Sequence, residues 1–300
     1  MDNATLVVSA CVGIIAVVGL AATFVPWYGR WRAYQQSAYL RVDLPTRLER
    51  AVSSRLISRE RGGIIGAAAL GGLAVLGFAT GIVDGLEPSL TIFFIVGAVF
   101  VGVGVGTAIA ALTGKKEVPS DVPRVARSEA ASVADYIAPI ERIGARVCVA
   151  IVVALAIAVG LAGPSADDLL LPVTLFAAAA ILTLALFEMA SRRIVEASQP
   201  AGSTAELVWD DAIRASVIRD LVTAPLALSV YGTVFGVFAL ADRSIGAAAA
   251  TAYLGSALVI AGFIITVVVS AVTRPRRYFL DRLWPNLRWS DTADVATDAA

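Results

Sequence analysis

The chain has no histidine in its 300 residues. Histidine is the commonest general base near neutral pH and the commonest metal ligand, so both kinds of chemistry lose their usual carrier. Cysteine is nearly as scarce. Cys11 and Cys148 are too few for a disulfide framework or a thiolate zinc site, and both read as small core residues. Lysine occurs twice against 22 arginines, a bias in keeping with a bacterial origin. Charge is sparse overall, at 16% of residues where about 25% is usual. HExxH, GxGD, Walker A and the DGxxAR phosphotransfer pattern are all missing. From these absences we expect no enzyme, no cofactor and no metal.

What the chain does have is hydrophobic length. Apolar residues make up 58% of it, and its mean hydropathy is +0.80. A bilayer core needs about 20 apolar residues of helix to span it. Seven runs qualify: residues 5–27, 62–83, 90–113, 147–163, 169–190, 221–241 and 246–272. The expected fold is an all-α, seven-helix transmembrane bundle over residues 1–272. A basic, aromatic juxtamembrane segment (273–289) and a disordered acidic tail (290–300) follow it.

Charge supplies the orientation. The segments between the runs carry, in order, eight, zero, six, zero, four, one and five Lys plus Arg. Short Lys- and Arg-rich segments stay in the cytoplasm, so the alternation places the N-terminus outside and the C-terminus inside a bacterial plasma membrane. The most basic segment runs from Tyr28 to Arg61, with eight arginines against Asp43, Glu49 and Glu60.

Short amphipathic cytoplasmic helices are expected before spans 2, 4 and 6. In the first, Leu44, Leu48, Val52 and Leu56 recur every four residues. Asp43 can cap it and Pro45 suits its first turn. Such a basic amphipathic helix suits anionic headgroups. The second begins at Asp121 and Pro123, carries Tyr136 and ends before Pro139. Within it, Glu129-Ala130-Ala131 resembles the start of the EAA motif of ABC importer permeases, but Asp135 stands where that motif needs glycine. The third opens on a Ser203/Glu206 capping box. Its adjacent Asp210 and Asp211 read as a solvated face, with Arg214 four residues from Asp210.

Intramembrane charge usually marks function, and Glu188 is the single candidate carboxylate, with Arg192 as its expected partner. Small residues point to close helix packing: Gly77 with Gly81, then Ala98, Gly102, Gly106 and Ala110, then Ala150, Ala154, Ala158 and Ala162, then Gly232 with Gly236. Pro172 and Pro225 read as lying near helix starts, where proline is tolerated. Trp27, Trp31, Arg276, Arg277, Trp284 and Trp289 read as lipid-interface anchors. Aromatics interleaved with arginine could stack on nucleic acid, but beside a span they suit lipid better, so no nucleic-acid partner is expected.

The expected partners are membrane lipids with anionic headgroups on the cytoplasmic side and a cytoplasmic protein or ATPase. The function expected is that of a membrane-embedded partner subunit or scaffold. The alternative is a transporter or ABC-type permease component without its own ATPase.

Overall fold

The structure is a computed structural model, and it describes residues 3–80, 88–113, 130–162, 167–199, 201–245 and 277–285. The seventh expected span, Gly81, Arg276, Trp289, the acidic tail and the helix start at Asp121 lie outside these residues. Among the described residues every regular element is helical and none is a strand. They are α1 (Asn3–Ala22), α2 (Pro26–Leu40), α3 (Thr46–Ala79), α4 (Pro88–Thr113), α5 (Val133–Tyr136), α6 (Pro139–Leu161), α7 (Asp167–Glu196), α8 (Thr204–Ile245) and α9 (Tyr278–Leu283).

Among the described residues, five helices are long and apolar enough to cross a membrane: α3, α4, α6, α7 and α8. They coincide with the second to sixth expected spans. The first expected run falls on α1, which stops at Ala22 instead of reaching Trp27. Pro26 is the cause. It disfavours helical backbone in the residue before it, and Val25 is extended (φ −81°, ψ 121°). The chain turns there and restarts as α2 with Pro26 in its first turn.

Two lead segments are not separate short helices. Thr46–Ala79 is one 34-residue helix and Thr204–Ile245 one 42-residue helix. At 1.5 Å per residue these are roughly 50 and 60 Å long, against a hydrocarbon core of about 30 Å. Each therefore runs well beyond its apolar part as a single rod. No proline interrupts α3. In α8, Pro225 lies deep inside the helix, not near its start, and the helix continues through it. Before α6, the four-residue α5 is closed by a reciprocal Ser132/Asp135 capping box. Extended Ile137 and Ala138 then separate it from α6, whose first turn holds Pro139.

The apolar half packs by close approach. Gly62 and Gly66 of α3 lie on Gly102 and Gly106 of α4. A methyl group at Gly66 would sit 2.0 Å from the Gly102 carbonyl oxygen, and one at Gly106 would sit 2.0 Å from that of Gly62. Only glycine permits this contact. Gly232 and Gly236 of α8 receive Val152 and Leu155 of α6, with room for no added carbon (2.4 and 2.9 Å). Phe176 stacks between Phe94 and Phe235, with ring centroids 5.4 and 5.5 Å away. The alanine stripe of α6 does not pack inward. Ala150, Ala154 and Ala162 are exposed, and Val149, Val152 and Val159 are the buried residues of that helix.

Candidate functional site

The charged ends of the helices gather into one body. Its core comprises Val52 and Leu56 of α3, Tyr136 of α5, Phe187 and Ile194 of α7, Val208, Trp209, Ile213 and Val217 of α8, and Phe279 and Leu280 of α9, all buried. The amphipathic face at Leu44, Leu48, Val52 and Leu56 thus packs on protein, not on lipid. Trp209 ties the layers together by donating its ring N–H to the Asp43 carbonyl at 3.0 Å. The start of α3 falls to Pro45 and has no side-chain cap.

A polar network runs through this core. Asp210 and Asp211 are 4% and 0% exposed and Arg214 is 5% exposed, which overturns their reading as a solvated face. The reason lies on the rest of the helix. Leu207, Val208, Trp209, Ala212, Ile213, Ala215, Val217 and Ile218 make this part of α8 apolar on nearly all sides, and such a helix is buried. The spacing-derived pair forms, with Arg214 Nε 2.9 Å from Asp210. Arg214 then directs its terminal nitrogens at the carbonyls of Ile194 (2.7 Å), Val195 (3.0 Å), Ala197 (2.8 Å) and Ser198 (3.2 Å). It closes the C-terminus of α7, where carbonyls lack helical partners and a cation is favoured. Asp210 also accepts from Arg55 at 2.6 Å and Gln199 at 3.0 Å. Asp211 accepts from Gln199 (2.7 Å), Tyr136 (2.8 Å) and Trp284 (2.9 Å). Two carboxylates and two guanidinium groups balance, and α3, α5, α7, α8 and the residue after α9 meet on them. Among the described residues no group of three His, Cys, Asp or Glu could hold a metal.

Around this core, arginines pair with acids across helices. Arg59 of α3 holds Asp220 and Ser216 of α8, Arg32 of α2 holds Glu60 of α3, and Arg219 of α8 holds Glu141 of α6 at 3.2 Å. Arg61 donates to the Thr23 carbonyl at 2.7 Å and lies 4.1 Å over the Phe24 ring, at the end of α1. Arg282 reaches Asp135 at 3.2 Å. Burial works to raise the Asp135 carboxyl. The Ser132 backbone N–H and hydroxyl, together with Arg282, outweigh it and hold the group below its ordinary 3.8. Burial, with the adjacent Glu60 carboxylate, pushes the Tyr28 hydroxyl above 10.

The other sequence-derived residues fall as follows. Glu188 pairs with Arg146 of α6 (Nε 2.9 Å), not with Arg192, which is exposed. Trp27 and Trp31 are 60% and 47% exposed. Trp284 is not such an anchor, since its N–H is committed to buried Asp211. Arg277 lies at the start of α9, half-buried. Gly77 is half-buried within α3. Ala98 is half-buried on α4, and Ala110 faces Gly62. Ala130 and Ala131 are not helical, unlike an EAA segment. Spacing missed the partners Gly62 and Gly66, although they are themselves a GxxxG pair. It also missed Arg55, Gln199 and Tyr136, whose roles depend on pairing between distant segments.

A cavity opens in this body, between α2, α3 and α8. It measures about 490 Å³, and its wall carries Arg32, Arg59, Arg219, Gln36, Tyr39 and Ser216 among others. Comparison with known proteins finds no matching family, no matching curated protein and no matching solved structure.

Proposed function

We propose that the chain is a membrane-embedded partner subunit or scaffold whose charged end docks a cytoplasmic protein. The observation that carries this reading is the pair of long rods, α3 and α8. They leave the apolar zone without a break and enter a body built on a shared apolar core and cross-helix ion pairs. A platform held this rigidly suits a binding partner that must be met in one geometry, because ordering costs are then small. Arg30, Arg41, Arg47, Arg50, Arg192 and Arg193 are exposed on its rim, against exposed Asp43, Glu196 and Asp281. The excess of positive charge favours a partner with an acidic face. The positive-inside rule puts this end in the cytoplasm, in a bacterial plasma membrane.

The test is affinity purification of the full chain in mild detergent, with quantitative mass spectrometry. It compares the wild-type chain with an Arg47→Glu/Arg50→Glu variant of unchanged expression. A protein recovered in fixed ratio with the first, and reduced at least tenfold with the second, is the expected result. The transporter reading makes a different demand. If a measured flux depended on the chain and disappeared in Glu188→Gln at equal expression, the scaffold reading would be abandoned.

A further inference from the structure

We infer that the cavity between α2, α3 and α8 is a binding site for a phosphate-bearing anion. Three features meet there. The first is charge. Arg32, Arg59 and Arg219 line the wall, and Asp220 is the carboxylate that lines it with them. Glu60 and Glu141, which pair with Arg32 and Arg219, are not part of the lining. A guanidinium has five donors and a carboxylate engages about two of them, so these pairs fix the cations in place without exhausting them. Arginine in a rigid fork is the side chain best matched to phosphate oxygens. Gln36, Tyr39 and Ser216 add neutral polar groups.

The second feature is height. Arg219 and Asp220 are the last charges of α8 before its uncharged stretch 221–241, and Arg61, two residues past Arg59, is the last of α3 before 62–83. The cavity therefore sits where apolar helix gives way to charged helix, the level of phospholipid headgroups. Basic pockets between spanning helices at that level bind headgroups. The third is size, since about 490 Å³ falls in the range of small-molecule sites, roughly 300–1,000 Å³. The phosphate can belong to an anionic lipid or to a soluble phosphoester. This inference does not depend on the docking role proposed above.

The experiment uses the purified full chain in detergent and two probes, phosphatidylglycerol and soluble glycerol phosphate, with phosphatidylcholine as the neutral control. Gln36→Glu adds a negative charge to the wall without removing an ion pair, and Gln36→Arg adds a positive one. Ser54→Glu, on the exposed face of α3, changes net charge equally but lies outside the cavity. Binding is read by native mass spectrometry and as the rise in Tm on titration. The expected result is phosphatidylglycerol binding about tenfold weaker in Gln36→Glu, stronger in Gln36→Arg and unchanged in Ser54→Glu, with phosphatidylcholine indifferent throughout. If glycerol phosphate follows the same order, the site takes the phosphate itself. If it does not bind, the site takes the lipid. Binding equal in all four proteins, or absent for both probes, overturns the inference.

Discussion

The two halves of this bundle are held by opposite means. In the apolar half, helices approach until backbone meets backbone, as Gly66 meets Gly102, and aromatic rings fill what remains. In the charged half, the helices are held by buried ions that each satisfy several partners, as Arg214 satisfies Asp210 and four carbonyls. The difference follows from the surroundings. Within lipid, burying apolar surface gains nothing over exposing it to lipid tails, so fit and small residues decide. Outside it, water competes for every polar group, so an ion pair adds structural definition only when it is buried and fully satisfied. The two halves should therefore fail differently when altered.

The largest effect belongs to the buried ions. Asp210→Asn leaves Arg214 and Arg55 without their carboxylate. Removing one partner of a buried pair costs about 3–5 kcal/mol. A large fall in Tm, or loss of the monodisperse peak in size-exclusion chromatography, is the expected outcome. Asp220→Asn breaks a pair whose acid is 33% exposed, and should cost much less. Equal effects of the two substitutions would dissolve the distinction between a buried core and its rim.

The next effect tests the apolar half. Gly102→Val forces a side chain into space already occupied by the Gly66 carbonyl, 2.2 Å from the first added carbon. Overpacking costs typically about 1–3 kcal/mol, and backbone cannot yield as a flexible side chain can, so the upper end is expected. Gly72→Val, at a site with nothing within 4 Å, is the control, and its Tm should stay near that of the wild type.

Much of this architecture can be read from the chain, and its limits are physical. Hydrophobic run length located the apolar parts of five helices long enough to cross a membrane, because the bilayer imposes that length whatever the partners, but not their starts, since α3 opens at Thr46 and α8 at Thr204, well before the expected 62 and 221. The Ser203/Glu206 cap was equally readable, being local: Glu206 accepts from Gly202 N–H at 2.8 Å, and Ser203 accepts from Glu206 N–H at 3.3 Å. Asp210 and Asp211 look solvated in the sequence because spacing along one helix sees the Arg214 partner and nothing across the fold. Arg55 lies 155 residues from Asp210. Spacing offers Glu188 the wrong arginine, Arg192 in place of Arg146, for the same reason. Trp284 looked like a lipid anchor because tryptophan beside a span usually is one, and a single tertiary hydrogen bond outweighs that preference.

A third, smaller effect concerns that bond. Trp284→Phe keeps an aromatic ring, a smaller one, but leaves Asp211 without one of its donors. A hydrogen bond to a charged group is worth about 1.5–3 kcal/mol, and the half-exposed position of Trp284 puts this one at the low end. The more informative readout is local. Limited proteolysis should cut near α9 faster in Trp284→Phe than in the wild type, while the spanning helices keep their protection. Unchanged cutting would mean that the other contacts of α9, buried Phe279 and Leu280 and the Arg282–Asp135 pair, suffice to hold it.

The smallest effect is the one with most bearing on function. Glu188 and Arg146 bridge α7 and α6, with side chains 29% and 50% exposed. Pairs this exposed contribute about 0–1 kcal/mol, so Glu188→Gln should leave Tm within about 2 °C of the wild type. A carboxylate retained for stability would give that small change and nothing more. A carboxylate that couples transport would give the same small change in Tm together with loss of flux. Stability and activity therefore separate cleanly at this residue, which the buried ions of the charged half do not allow. Substituting Asp210 disturbs everything attached to it. Substituting Glu188 asks only what that carboxylate does.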